Sequence, residues 1–186
     1  MVMASSAIQI MRPNVTQEDA LRAFSSSGPA SLYWRWKSGP LQRIADVYVP
    51  FRLFRVEYQL TKATHSRLFA LDAVHGSLDL FEFPKVPAAG QLQTIETRNF
   101  LAPSLPLERA ELVLREKVWR IIFQQGFFKV REPRLDIFSE PTEIHLPYWL
   151  GLYNGPTGVR CRVMDAVRRR MEGAKASLFF EEWLAA

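Results

Sequence analysis

Two stretches decide the reading: Tyr48–Phe83, YVPFRLFRVEYQLTKATHSRLFALDAVHGSLDLFEF, and His145–Arg170, HLPYWLGLYNGPTGVRCRVMDAVRRR. Each opens on an aliphatic residue followed by Pro-aromatic, Val49-Pro50-Phe51 and Leu146-Pro147-Tyr148. Each continues as an apolar run, crosses a polar or Gly-rich turn, and climbs into Asp-Ala-Val. That tripeptide is Asp72-Ala73-Val74 in the first stretch and Asp165-Ala166-Val167 in the second. The second loop is shorter, a difference that chain entropy tolerates easily. Both segments read as antiparallel hairpins with Pro at the first strand position, where its missing donor does no harm. In the second, Val159, Cys161 and Val163 alternate with Arg160, Arg162 and Met164, predicting one apolar and one basic face. Asn154-Gly155-Pro156-Thr157-Gly158 supplies turn chemistry, and Leu78 to Phe83 alternates as a further strand.

Working outward, Thr16 caps a helix through Phe24, with Asp19 in the capping-box position. Leu107, Ala110, Leu114, Val118, Ile121 and Ile122 recur at helical spacing within a second helix, Pro106 to Gln125. Ser31 to Trp36 and Phe127 to Val130 read as strands after these helices, and a third helix spans Glu172 to Leu184. The predicted fold is α+β: two repeated helix-plus-antiparallel-hairpin units with a C-terminal helix. Residues 1–84 form the first half with hairpin 48–83, 85–104 a proline-rich linker, and 105–186 the second half with hairpin 145–168.

Composition sets the class. Hydrophobic residues make up 48% and charged residues 23% of the 186, a globular balance. The net charge of +5 admits acidic partners without naming one. Cys161 is the only cysteine, so neither an intrachain disulfide nor a Cys-based zinc site can form within one chain. The N-terminal segment has no basic residue before its apolar part and breaks at Arg12-Pro13, unlike a secretory signal. No apolar run approaches the ~20 residues of a membrane span. The expected location is the cytoplasm.

Leu71-Asp-Ala-Val-His-Gly, with Phe54-Arg-Val-Glu-Tyr-Gln-Leu before it, resembles the strand-turn-strand end of PepSY domains. The Pro-aromatic strands are similar to hairpin units of uncharacterised bacterial proteins. The resemblance implies binding or inhibition rather than chemistry; the second segment departs from it, with Arg169 in place of the turn glycine.

Candidate chemistry is sparse. Cys161 suits a small buried hydrophobe better than a nucleophile. His65, His75 and His145 lack metal-ligand spacing. Asp72 and Asp165 fit strand-end acceptors for the following turn better than a catalytic pair. Arg160, Arg162, Arg168, Arg169, Arg170 and Lys175 form a basic group suited to phosphate or carboxylate, with Glu172, Glu181 and Glu182 as the internal alternative. Trp34, Trp36, Tyr148, Trp149 and Trp183 are too many to bury easily: either they pack between the two halves, or they leave an aromatic patch, with Tyr148 and Trp149 as candidates, at an interface. The sequence therefore points to a non-enzymatic protein-interaction or assembly module of bacterial type, without cofactor or metal, binding a protein or itself. The alternative is a polyanion-binding accessory protein using the arginines, although no nucleic-acid motif supports it.

Overall fold

The computed structural model describes residues 5–26, 28–60, 63–124, 134–155 and 158–185. They form β1 (Ser6–Met11), α1 (Gln17–Ser25), α2 (Pro29–Ser38), β2 (Leu41–Leu60), β3 (Ala63–Asp72) and β4 (Phe81–Phe83). A 3-10 turn at Ala89–Gln91 then leads into β5 (Leu92–Thr97), α3 (Leu107–Gln124), β6 (Leu135–Gly155), β7 (Gly158–Asp165), β8 (Arg170–Met171) and α4 (Ala174–Ala185). Helices and both parallel and antiparallel strand pairs are present, so the class is α+β. The expected strand Phe127 to Val130 lies outside the described residues.

Two compact units interleave along the chain: Met1–Val49, Leu92–Leu101 and His145–Ala186 make one, and Pro50–Gln91 and Ala102–Ile144 the other. In the second unit, β2 and β3 pair antiparallel from Leu60↔Ala63 to Phe51↔Asp72, and β3 pairs with β4. Helix α3 turns Ala110, Leu114, Val118 and Ile122 inward, one per turn, onto Phe54, Val56, Phe69 and Leu71. Burying such side chains removes apolar surface from water at roughly 25 cal/mol per Å². Gly76 closes the turn after β3 with φ of +66°, and a Cβ there would stand 3.0 Å from Val113.

In the first unit, β1 pairs antiparallel with β5 and meets β6 in parallel at Ile10↔His145. β6 and β7 pair from Tyr148↔Asp165 to Gly155↔Gly158. Thr16 and Asp19 make the expected capping box of α1. Ala20 and Phe24 then pack with Val15, Met164 and Ala166. The Phe24 ring lies so close on Gly151 that a Cβ would fall 2.9 Å from it.

Four sequence expectations are corrected. Ser31 to Trp36 is helical, not a strand: Pro29 occupies the first turn, and Gly39, at φ +76°, donates its N–H to the Arg35 carbonyl and ends the helix. The prolines do not begin strands but lie inside the long β2 and β6. Pro50 sits just past the last β2–β3 pair and serves only as an acceptor, taking the Ala73 N–H at 2.8 Å, so no donor is missed. Of Leu78 to Phe83, only Phe81–Phe83 is a strand. The stretch 85–104 contains β5, whose ladder with β1 runs from Ser6↔Thr97 to Met11↔Leu92.

Candidate interaction surface

Each Asp-Ala-Val segment ends a strand and ties down the turn after it. Asp72, fully buried, accepts N–H groups from His75 and Gly76 on Oδ1 and from Leu78 on Oδ2, all within 2.9 Å. Asp165 accepts from Val167 and Arg168 on Oδ1 at 2.8 Å, while its Oδ2 meets Arg168 Nε at 2.5 Å. Both carboxylates are occupied by backbone donors, an arrangement that fixes loops rather than moves protons.

The basic group is built into the first unit. Arg160 pairs with Glu181 of α4 at 3.2 Å. Arg162 was expected on an exposed face, yet it is buried: its guanidinium lies 5.8 Å from the Phe24 ring centroid, and Nη1 reaches the Phe24 carbonyl at 3.5 Å. The β7 alternation fails here because α1 covers the face the arginine occupies, while Val159, expected inward, is exposed. Arg168 spans Asp165 and Glu172, and Arg170 reaches Glu172 at 2.9 Å. Arg169 and Lys175 are exposed. Arg169 holds φ of +57°, a left-handed conformation that costs a non-glycine residue strain.

The aromatic residues separate sharply. Tyr148 is buried against Phe180, ring centroids 5.6 Å apart. Trp149 is half-buried and donates Nε1–H to the Val15 carbonyl at 3.1 Å. Trp34 packs on Tyr153, and Trp183 is half-buried. Trp36 is different, at 84% exposed, and on the same helix Tyr33 and Leu32 are 53% and 51% exposed. The Tyr33 and Trp36 rings stand 6.4 Å apart. Residues 32, 33 and 36 share one face of α2 by helical spacing, and Arg35 beside them is exposed. The sequence marked Trp36 as a candidate among five; which aromatics find cover depends on α4 and on the segment before α1.

Two titratable groups lack any such surface role. Burial pushes the Cys161 thiol up to about 12, with Glu181 adding to the effect, and Sγ rests 3.4 Å from the Ser177 carbonyl. Folded protein is expected to react with a thiol reagent at least tenfold more slowly than urea-unfolded protein, because so little thiolate forms; equal rates would contradict the placement. His145 is buried beside Phe100, its Nδ1 without a hydrogen-bond partner among the described residues. Desolvation holds its pKa below the usual value, against a smaller opposing effect of the Gln9 backbone. The folded state therefore prefers neutral His145. Its contribution to stability is present above the unfolded pKa of ~6.5 and lost as pH falls through the depressed folded value. Urea midpoints measured between pH 7.5 and 5.5, taken as roughly one unit either side of that value, should decline in the natural chain and decline less in His145→Phe.

Among the described residues, no group of three or more His, Cys, Asp or Glu could hold a metal ion, and no helix is long and apolar enough to cross a membrane. Against protein-family models, curated proteins and solved structures, the chain finds no match.

Proposed function

We propose that the chain is a non-enzymatic interaction module that docks through the exposed face of α2. The observation that carries this reading is Trp36, 84% exposed beside Tyr33 and Leu32. Large aromatics are the side chains whose burial contributes most at interfaces, and a cluster of them left in water marks a contact surface. The arginine group supports a polyanion site less well, since Arg160, Arg162, Arg168 and Arg170 already have partners within the chain.

The same reading takes the scaffold as two copies of one unit, with exchanged parts. Several matched contacts support it. The Ala73 N–H bonds the Pro50 carbonyl, and the Ala166 N–H bonds the Pro147 carbonyl. Phe51 faces Asp72 as Tyr148 faces Asp165. The turn residue with positive φ is Gly76 in one and Arg169 in the other, each four positions after the aspartate. Just before α3, Ser104 donates to the Ala73 carbonyl; just before α1, Asn14 donates to the Ala166 carbonyl. Inside the helices Ala20 and Phe24 match Ala110 and Leu114, all buried. Each hairpin is thus closed by the helix start from the other half of the sequence.

The test is a triple variant, Leu32→Ala/Tyr33→Ala/Trp36→Ala. It should keep its melting temperature to within about 2 °C, because exposed substitutions cost little. Retention on the membrane and protein fractions of the native cell should fall by about tenfold or more, the loss of roughly one hot-spot residue. Unchanged retention would remove α2 from the account.

A further inference from the structure

Resting on that reading of α2, we infer that the surface it docks on is an anionic lipid bilayer. Residues 20–45 contain Arg22, Arg35, Lys37 and Arg43 and no Asp or Glu. Arg22 faces Glu18 and Asp19; the other three lie on α2 or shortly beyond it, in a stretch with no carboxylate of its own. A second copy presenting the same face would meet like charge, so the complement is acidic. The apolar part is small. Three partly exposed side chains of this size offer roughly 400 Å², about half of the ~800 Å² that each partner contributes to a standard protein interface.

A bilayer needs no such area and no shape match. Trp and Tyr settle at the headgroup level, where the ring is apolar and the N–H or O–H stays wet. A short helix lies in the interface plane with its apolar side down and basic side chains toward acidic headgroups. Leu32, Tyr33 and Trp36 supply the first element, and the exposed Arg35 and Arg43 the second.

The experiment uses the full chain with vesicles of phosphatidylcholine alone, and of phosphatidylcholine with about a third phosphatidylserine. The chain should sediment with the acidic vesicles and far less with the neutral ones. Binding should weaken as salt rises. Trp36→Ala should bind about tenfold more weakly, and Arg35→Glu, a change of two charges, about 25-fold more weakly, since each basic charge near the surface is worth about fivefold. Quenching of tryptophan fluorescence by bromine-labelled acyl chains should fall in Trp36→Phe, which retains binding. No sedimentation with acidic vesicles, or equal binding by Trp36→Ala, would overturn the inference. Retention of a protein or RNA from the native cell that depends on Trp36, without vesicle binding, would put that partner in the lipid's place. In that outcome the α2 reading survives and the lipid assignment fails.

Discussion

Replacing Asp72 with Ala should destabilise the protein by about 4 kcal/mol, the sum of losing acceptors for three buried or half-buried backbone donors at ~1–3 kcal/mol each, with some relaxation. The side chain is fully buried and takes the N–H groups of His75, Gly76 and Leu78. Removing the carboxylate takes the acceptor from the buried Gly76 and Leu78 donors and from the part-buried His75 donor. For a chain of this length the melting temperature should fall by roughly 8–16 °C. Asp72→Asn keeps one oxygen acceptor and should lose about half as much. Thermal and urea unfolding of the three proteins measure this directly. A change below about 1 kcal/mol for Asp72→Ala would mean that the turn is held by something other than the aspartate.

Replacing Arg168 with Ala should cost about 2–3 kcal/mol, because it strands a buried carboxylate oxygen of Asp165 that loses its charged donor. Asp165 is 1% exposed, whereas Arg168 is about one quarter exposed, so the full cost of breaking a buried pair is discounted. Arg170→Ala, which removes a more exposed contact to Glu172, should cost less than about 1 kcal/mol. Arg169→Gly should leave stability unchanged or raise it by up to ~1 kcal/mol, since φ of +57° suits glycine and strains arginine. The three neighbouring arginines thus have distinct expected outcomes. A uniform response across them would contradict the assignment of Arg168 to the fold.

The three helices with regular signals were legible from residues. Thr16 and Asp19 placed the start of α1, the spacing of Ala110, Leu114 and Val118 gave α3, and Ala174, Leu178, Phe179 and Trp183 gave α4, although the side it buries is Ala176, Phe179 and Phe180 while Leu178 is exposed. The hairpins were legible because turn chemistry and Asp-Ala-Val mark their ends. Helix α2 was not, because Leu32, Trp34 and Trp36 alternate like a strand while the deciding signals, Pro29 and Gly39, lie outside that run. β5 was missed because LQTIET carries only a weak alternation between Pro87 and Pro103, and its partner β1 lies some 85 residues earlier. The candidate site was half legible. A surplus of aromatic residues is visible in composition, but the cover over Tyr148 and Trp149 comes from Phe180 and Val15. Arg162 reads as a surface charge until Phe24, distant in sequence, is brought over it.

Docking through α2 rather than through the arginine turn is tested most directly by photo-crosslinking in the native cell. A photoreactive side chain placed at position 36 replaces an exposed residue, and the same group at position 169 replaces an exposed residue of the arginine turn. Both proteins should fold, since neither position is buried. A strong adduct is expected from position 36, with lipid in its mass, and only background from position 169. A strong adduct from position 169 with none from position 36 would contradict it.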